Sequence, residues 1–282
     1  MAVEEVREGQ LYARADLPSG VSLAFTAEPA GNLGLHVGRD PAGVQANRRR
    51  IERLLGIPEG ATLFLEQVHG TAVARAEERE SLRPRDAADE RAAAPVADAA
   101  VTSTGRPLAV LTADCLPIVL TSEDPALYGV AHAGRRGLLD GVVEEAVRAL
   151  RALGAAELTA WIGPAICGAC YEVPEEMVED AARRMPGIAG RTSWGTPSLD
   201  LRTAAEDRLR ALGVPAETGT RGCTAEETDL YSHRREPGAG RIAGIVWRRG
   251  EDPPPGAKSG EGPSEEPRGG EDPAEERSTT HG

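Results

Sequence analysis

The stretch LTADCLPIVLTSEDPALYGVAHAGRRG, residues 111–137, contains two apolar runs, and polar residues interrupt or close each of them. Asp114 and Cys115 stand inside the first run, and His132 closes the second run just before a glycine. Short apolar runs between turn residues are typical of buried strands. Pro117 has no N–H group, so we expect the strand ladder to break or bulge beside Cys115.

Apolar runs and helical patterns alternate on both sides of this stretch. Runs bounded by turn residues predict strands over 21–28, 61–70, 98–103, 107–113, 117–122, 127–133, 158–163 and 241–248. Apolar periodicity, with capping and stop residues, predicts helices over 41–55, 138–153, 174–185 and 199–213. Because strands come singly and in groups between helices, the pattern predicts an α+β fold with a mixed sheet.

Composition divides the chain into a folded part and two segments of different character. The 282 residues are 40% hydrophobic, which is enough for one large core. We predict a single folded domain over 1–248, a mobile excursion at the charged, Ala-rich segment 75–97, and a disordered acidic tail at 249–282. Residues 251–282 alone carry nine acidic residues against three basic ones.

The charge balance limits the partners of the protein. A net charge of −13 argues against nucleic acid and against an anionic membrane surface. Without a signal peptide or a run of transmembrane length, we expect a cytoplasmic protein with reduced thiols, as a monomer or small homo-oligomer. The chain has one lysine, Lys258, which lies in the predicted tail. Any bound anion must therefore be held by arginine, backbone N–H groups or a metal.

Three residues that suit a metal occur at predicted strand ends. His69 directly precedes a glycine, His132 stands two residues before one, and Cys115 lies at the predicted strand break. Two imidazoles and a thiolate are ligands that zinc accepts, and three protein ligands leave a fourth position open, as in catalytic zinc sites. The alternative is a buried cysteine with two hydrogen-bonded histidines.

Three further motifs contain groups that suit a ligand. The segment AHAGRRG passes from a strand into a helix, where backbone N–H groups beside Arg135 and Arg136 suit an anion or only form an ordinary turn. CGAC at 167–170 is interpreted as a loop feature rather than a redox pair. His233 and Arg235 precede a glycine-rich turn, which suits a phosphate, a substrate hydroxyl or only solvent.

Taken together, the segments GNLGLHVG, EQVHG, LTADCLPIVL, GVAHAGRRGL, IGPAICGACYEV and CTAEETDLYSHRR resemble one family. It is the laccase-domain family, also called polyphenol oxidase or peptidoglycan editing factor, whose members are now regarded as purine nucleoside phosphorylases. The resemblance covers about residues 20–248, with the motifs in the family's order. It implies a sandwich of mixed β-sheets flanked by helices.

The resemblance also implies a site and an activity. It places the family's zinc ligands on His69, Cys115 and His132, and it implies phosphorolysis of adenosine, inosine and methylthioadenosine together with deamination of adenosine. The predicted substrate-binding residues within its motifs are Asn32, Gln67, Arg136, His233 and Arg235. This chain departs from the family at Arg135, where tryptophan is usual.

The chemistry assigns the remaining roles and leaves alternatives open. Deamination needs a proton shuttle, for which Asp114 is the first candidate and Glu172 the second, with Cys115 at the same centre. Copper-dependent polyphenol oxidation is disfavoured, because five histidines without a His-x-His pair do not supply several copper sites. The alternatives are a cysteine-type hydrolase that uses Cys115 and His132 on cell-wall peptides, and a zinc-stabilised binding protein without activity.

Overall fold

The computed structural model describes residues 9–77, 94–217 and 220–250, and two β-sheets organise this part of the chain. The strands are β1 Leu11–Asp16, β2 Val21–Thr26, β3 Val73–Arg75, β4 Ala99–Thr102, β5 Leu108–Thr112, β6 Leu116–Thr121, β7 Tyr128–Ala133, β8 Thr159–Ile162, β9 Ala189–Arg191, β10 Pro197–Leu199, β11 Ala216–Glu217 and β12 Ile242–Arg248. The helices are α1 Pro41–Leu55, α2 Arg135–Asp140, α3 Val142–Ala152, α4 Glu175–Arg184 and α5 Leu201–Ala211.

The two sheets differ in strand direction. The order β1-β2-β12-β5 forms an antiparallel four-stranded sheet. The order β11-β8-β6-β7-β4-β3 forms a mixed six-stranded sheet, in which the two outermost pairs are parallel. Strand β5 belongs to the first sheet and β6 to the second, so the turn that contains Asp114 and Cys115 crosses from one sheet to the other.

The sheets pack face to face, and helices cover their outer faces. Val119 and Val130 of the six-stranded sheet share one apolar cluster with Phe25 and Val110 of the four-stranded sheet. Ile118 points to the opposite face, into a cluster formed with the helices α3 and α5. Because side chains alternate between the faces of a strand, a strand buried on both sides is apolar throughout. The result is the predicted α+β sandwich, with α1 packed on the outside of the four-stranded sheet.

The helix caps follow the sequence signals. The side chain of Asp40 accepts a hydrogen bond from Gly43 N, Pro41 occupies the first turn of α1, and Gly56 ends the helix in the left-handed conformation. The predicted helix over 138–153 is wrong in its continuity, because Gly141 has a φ of 99° and separates α2 from α3. The predicted strand over 61–70 is an extended segment with isolated bridges at Leu63 and Glu66.

The strand ladder does not break at Pro117. Pro117 pairs with His132 inside an uninterrupted register between β6 and β7, and its carbonyl accepts a hydrogen bond from Gly163 N at 2.9 Å. The carbonyl of Gly163 faces the position where proline has no N–H, and it accepts instead from Arg202 Nη2 at 2.6 Å. A buried guanidinium therefore replaces the missing backbone donor, and the predicted bulge is not formed.

The predicted boundaries fall partly outside the described residues. Of the predicted excursion over 75–97, residues 78–93 lie outside them, whereas Arg75 ends β3 and Ala97 is buried. The predicted tail over 249–282 lies outside them from residue 251 onward. Among the described residues, no helix combines the length and the apolar character that are needed to cross a membrane.

Candidate metal centre

The three predicted metal ligands lie together where the two sheets meet. The candidate donor atoms of His69, Cys115 and His132 all lie within 4.8 Å of one another. Nε2 of His69 is 3.8 Å from the sulfur of Cys115, and the two imidazole rings are in edge contact with centroids 4.8 Å apart. Donors about 2.1–2.3 Å from a zinc ion lie less than about 4 Å apart in a tetrahedron, so the group needs only a small contraction to bind one.

A different element positions each of these residues. His132 lies in β7 beside Pro117 of β6, and Cys115 ends the turn that leads into β6. His69 lies outside any strand and has a φ of 60°, a left-handed conformation that is uncommon for a residue other than glycine. The backbone N–H of His69 donates to Asp98 Oδ1 at 2.9 Å, which holds this conformation.

Asp98, which the sequence analysis did not single out, organises the centre. Its fully buried carboxylate accepts from Gly70 N at 2.6 Å and from Val68 N at 3.2 Å, and Oδ1 lies 2.8 Å from Nδ1 of His132. A carboxylate on one imidazole nitrogen fixes the ring and directs the other nitrogen at a metal. The available signal was an acidic residue directly before the apolar strand β4.

The electrostatics of the centre favour a thiolate. Burial raises the pKa of Cys115, but the charge of His132 and hydrogen bonds from His132 and His69 more than offset it and lower the pKa to about 6. Burial lowers the pKa of His132, but the Cys115 thiolate and Asp98 more than offset it and raise the pKa to about 9. The metal-free pair therefore favours a thiolate beside an imidazolium, and a metal would take the place of that proton.

Gly134 leaves room for the three ligands. A Cβ at this position would lie 2.7 Å from Cδ2 of His69 and 2.9 Å from the sulfur of Cys115, closer than real contacts allow. The segment that suggested an anion site from sequence is therefore packed against the metal ligands. The helix that follows it, α2, has only six residues.

The carboxylate of Asp114 connects the centre to a distant loop. Asp114 has a φ of 91°, and its Oδ1 accepts from Thr224 Oγ1 at 2.7 Å. Its Oδ2 accepts from the backbone N–H of Arg234, also at 2.7 Å. Asp114 precedes the candidate ligand Cys115 in the sequence, and its carboxylate anchors the loop that contains residues 224–234.

Two of the predicted substrate-binding side chains are engaged with the backbone. Asn32 Nδ2 donates to the carbonyls of Gly34 and Val37, and its Oδ1 accepts from the N–H groups of Gly34 and Arg241. Gln67 exchanges two hydrogen bonds with the backbone of Leu111, at 2.7 and 2.8 Å. Asn32 therefore shapes its loop with all four of these groups, and Gln67 pairs with the end of β5.

The two predicted arginines also bind carbonyl groups of the protein. Arg136 donates to the carbonyls of Val68 and His69, and so holds the loop of the first metal ligand. Arg235 donates to the carbonyls of Thr224, Glu227 and Leu230. The exposed ring of His233 accepts from Gly238 N through Nδ1 at 3.3 Å, and Nε2 is its other nitrogen.

A wall of aromatic and basic side chains stands beside Cys115. Burial is the main cause that raises the pKa of Tyr171, and the charge of the Cys115 thiolate adds to it, while Arg135 and Arg234 oppose it. The guanidinium of Arg234 lies 5.2 Å from the centre of the Tyr171 ring. The exposed carboxylate of Glu172, the second shuttle candidate, accepts from Trp194 Nε1 at 2.8 Å. Arg135, the departure from the family pattern, is part of this wall.

The CGAC motif is not an isolated loop feature. Cys223 and Glu226 lie beside Cys167 and Cys170, and the candidate donor atoms of all four residues are within 4.8 Å of one another. The available sequence signal for this association, which was missed, is that the spacing of CTAE at 223–226 repeats that of CGAC.

The fold and the donor group define a class of protein: an α+β sandwich with a candidate His/Cys/His metal centre at the junction of its two sheets. Residues 18–249 match the family described as multi-copper polyphenol oxidoreductase laccase, and the chain belongs to this family. The resemblance stated from the sequence is confirmed.

Relatives and solved structures agree with this membership. A protein of Streptomyces griseus named purine nucleoside phosphorylase ORF3 is 46% identical over 239 residues, which cover 84% of this chain and 93% of the relative. Purine nucleoside phosphorylase SCO2081 of Streptomyces coelicolor is 40% identical, over 84% of this chain and 99% of its own. The crystal structure of YlmD from Geobacillus stearothermophilus superposes with a TM-score of 0.76 at 32% identity, over 88% of this chain and 99% of that one.

Proposed function

We propose that this protein is a purine nucleoside phosphorylase with adenosine deaminase activity at a zinc centre. The observation that carries the proposal is the group of His69, Cys115 and His132, braced by buried Asp98, in a chain whose relatives bear the name purine nucleoside phosphorylase. The proposed substrates are adenosine, inosine and methylthioadenosine, with inorganic phosphate as the second substrate.

The donor set supports zinc over copper. One thiolate and two imidazoles suit a tetrahedral zinc ion with one open position, whereas blue copper needs an additional weak axial ligand. When bound, zinc supplies a Lewis acid and lowers the pKa of water toward neutrality. The four free cysteines support a reducing compartment, and we place the protein in the cytoplasm.

The side chains around the centre are assigned separate tasks. Asp98 holds His132 and the loop of His69 in place, as its four contacts require. Asp114 transfers the proton, because it is fixed beside Cys115 and each of its oxygens keeps a second lone pair. Glu172 remains the second candidate for this task.

Phosphate needs cationic groups that keep N–H donors available for it. Arg136 and Arg235 bind backbone carbonyls, so we assign them to the shape of the site. Arg234 donates to the carbonyl of Glu172 at 3.0 Å through Nη1, and Arg135 is hydrogen-bonded to Tyr171, whose ring lies 5.2 Å from the Arg234 guanidinium. We propose that the remaining N–H groups of Arg135 and Arg234 receive the phosphate. Asn32 and Gln67 act indirectly, by holding the backbone segments that they bind. His233 offers Nε2 to a substrate hydroxyl.

A nucleoside assay on metal-analysed protein tests the proposal. Adenine and ribose 1-phosphate should form from adenosine only when phosphate is present, because phosphate is the nucleophile of that reaction. Inosine should form from adenosine without phosphate, because water is the nucleophile of deamination. Chromatography of the products at several phosphate concentrations separates the two routes. Folded, zinc-loaded protein that yields neither product from any of the three nucleosides would refute the proposal.

One observation favours a second candidate, a cysteine-type hydrolase. Cys115 lies beside two imidazoles, and its lowered pKa of about 6 is typical of a nucleophilic thiol. Metal separates the alternatives, because zinc on the thiolate would block such a nucleophile. Activity on cell-wall peptides that rises after metal removal would favour the hydrolase. Copper content with phenol oxidation would favour a polyphenol oxidoreductase, as the family is described.

A further inference from the structure

We propose that Cys167, Cys170, Cys223 and Glu226 form a second metal site, a closed structural zinc site separate from the His/Cys/His centre. Their candidate donor atoms, three sulfurs and one carboxylate oxygen, lie within 4.8 Å of one another. Donors about 2.3 Å from a zinc ion lie about 3.8 Å apart in a tetrahedron, so the four groups need to close by only about 1 Å. This inference does not depend on the proposed function.

The backbone presents the four donors as two matching turns. In the first turn, Cys170 N donates to the carbonyl of Cys167 at 3.0 Å, and in the second, Glu226 N donates to the carbonyl of Cys223 at 3.1 Å. Each turn brings its first and fourth side chains to one side, which is the arrangement that a C-x2-C zinc turn uses. The second turn repeats it with glutamate in the fourth place.

A short parallel bridge holds the two turns side by side. Ala165 pairs with Cys223, with Ala165 N donating to Gly222 O and Thr224 N donating to Ala165 O, both at 3.2 Å. The site therefore joins segments that are more than fifty residues apart in sequence through the backbone, so its geometry does not rest on flexible side chains. Preformed turns reduce the ordering that a metal would otherwise have to impose.

The contacts among the four side chains already have the character of a ligand shell. The backbone N–H of Cys167 points at the sulfur of Cys223, 3.4 Å away, and such N–H groups stabilise thiolate ligands. The sulfur of Cys170 is 3.2 Å from Glu226 Oε1. Cys223 and Cys170 are only 4% and 9% exposed, which suits a structural ion shielded from solvent.

The donor types select the metal. Three soft sulfur ligands exclude magnesium and calcium, which require oxygen donors, and a four-coordinate sulfur-rich set suits zinc. Four protein donors leave no open position, so the site would be structural rather than catalytic. Exposed Glu226 is the ligand nearest to solvent and marks the side from which an ion would enter.

The location of this site indicates a structural role beside the first centre. The two turns continue into the residues that hold Asp114: Ile166 N donates to its carbonyl at 3.0 Å, and Thr224 and Arg234 bind its carboxylate. Asp114 directly precedes the metal ligand Cys115. An ion that joins the turns would therefore fix the wall beside the first centre without touching a substrate.

Metal analysis of the full-length protein and matched variants tests this inference. The wild type should contain about two zinc ions per chain, and Cys115→Ala and Cys167→Ser should each lose about one. Cobalt(II) in the Cys115→Ala protein should give an intense sulfur-to-cobalt charge-transfer band that is typical of several thiolates. Glu226→Gln should keep this band with an altered ligand field, because the sulfurs remain.

Three outcomes would overturn the inference. They are about one zinc per chain in the wild type with none in Cys115→Ala, unchanged zinc in Cys167→Ser, or a disulfide among Cys167, Cys170 and Cys223 in non-reducing mass spectrometry of freshly purified protein. If Cys167→Ser does not fold, the Cys115→Ala protein decides the matter alone, because all of its remaining zinc must then be bound elsewhere than at the first centre.

Discussion

The two groups of candidate metal ligands in this protein differ in what surrounds the sulfur. Burial raises the pKa of thiols in both groups, but the imidazoles of His132 and His69 lower that of Cys115 to about 6. Around Cys170 the neighbours are Glu226 and two other cysteines, which raise its pKa further. A thiol next to potential cations is thus prepared for ionisation, whereas a thiol next to potential anions depends on an added cation.

The groups also differ in the number of donors. The first centre offers two imidazoles and one thiolate, with a carboxylate behind one ring, so a tetrahedral metal bound there would keep a position for substrate or water. The second group has four donors and leaves none. The number of donors therefore distinguishes a centre that can react from one that is structural. Asp114 connects the two, because it precedes Cys115 and its carboxylate binds Thr224, inside the second turn of the second group, and Arg234 beyond it.

The largest effect that would separate the two groups is expected from Gly134→Ala. The added Cβ would press on Cys115 and on His69, so the first centre should lose metal and activity should fall by about 100-fold. Zinc analysis should show that the ion assigned to the second group is retained, which serves as an internal control for folding. Equal loss of zinc from both groups would mean that the two sites are not independent.

Asp98→Asn should have the next largest effect. An amide cannot accept the same set of hydrogen bonds, so metal affinity at the first centre should fall by about 10–100-fold in competition with a chelator. Asp114→Asn is the matched control and should keep the affinity, since its contacts lie in another loop. The opposite ranking of the two variants would contradict the assigned roles.

Asp98 also gives an expectation for the stability of the protein at acid pH. Burial raises the pKa of Asp98, but the hydrogen bond from His132 and those from backbone N–H groups more than offset it, so the pKa lies below 3.8. Its contribution to the free energy of unfolding is therefore full above pH 3.8 and is lost as the pH falls through the lower folded value. Acid unfolding of Asp98→Asn should lack this component.

Arg235→Ala should change stability more than phosphate binding. Three carbonyl groups would lose their donor, which costs about 2 kcal/mol in the free energy of unfolding. Arg210→Ala, which removes an exposed pair with Asp207, should cost less than about 0.5 kcal/mol. Chemical denaturation measures both. An unchanged Arg235→Ala stability with a raised KM for phosphate would restore the role that the sequence suggested.

The smallest effect expected is a difference between the two groups in the pH dependence of cysteine alkylation. In metal-free protein, alkylation of Cys115 by iodoacetamide should have its midpoint near pH 6, because the thiolate is the reactive form. Cys167 and Cys170, whose pKa values are raised by burial and by neighbouring Cys223, should react only above the ordinary thiol range. Mass spectrometry of each cysteine at several pH values measures this, and a common midpoint would contradict the contrast.

The sequence alone determined the strands around the centre, most helices and the three candidate ligands. Apolar runs predicted β5, β6 and β7 because strands buried on both faces need apolar side chains throughout. Asp40, Pro41 and Gly56 bounded α1 because caps act over a few neighbouring residues. The His/Cys/His set followed from ligand chemistry and from motifs in a fixed order, since both are properties of residue types.

The tertiary structure decided everything that depends on partners distant in sequence. It alone places β5 and β6 in different sheets, Arg202 behind Pro117, and Asp98 behind His132. In the structure, the arginines that were predicted to bind substrate donate to backbone carbonyls, because their nearest acceptors come from other segments. The second cysteine group is the clearest case, since its two turns meet only through the bridge of Ala165 and Cys223. Local sequence patterns cannot predict such pairings, because the pairings depend on contacts among all segments of the folded chain.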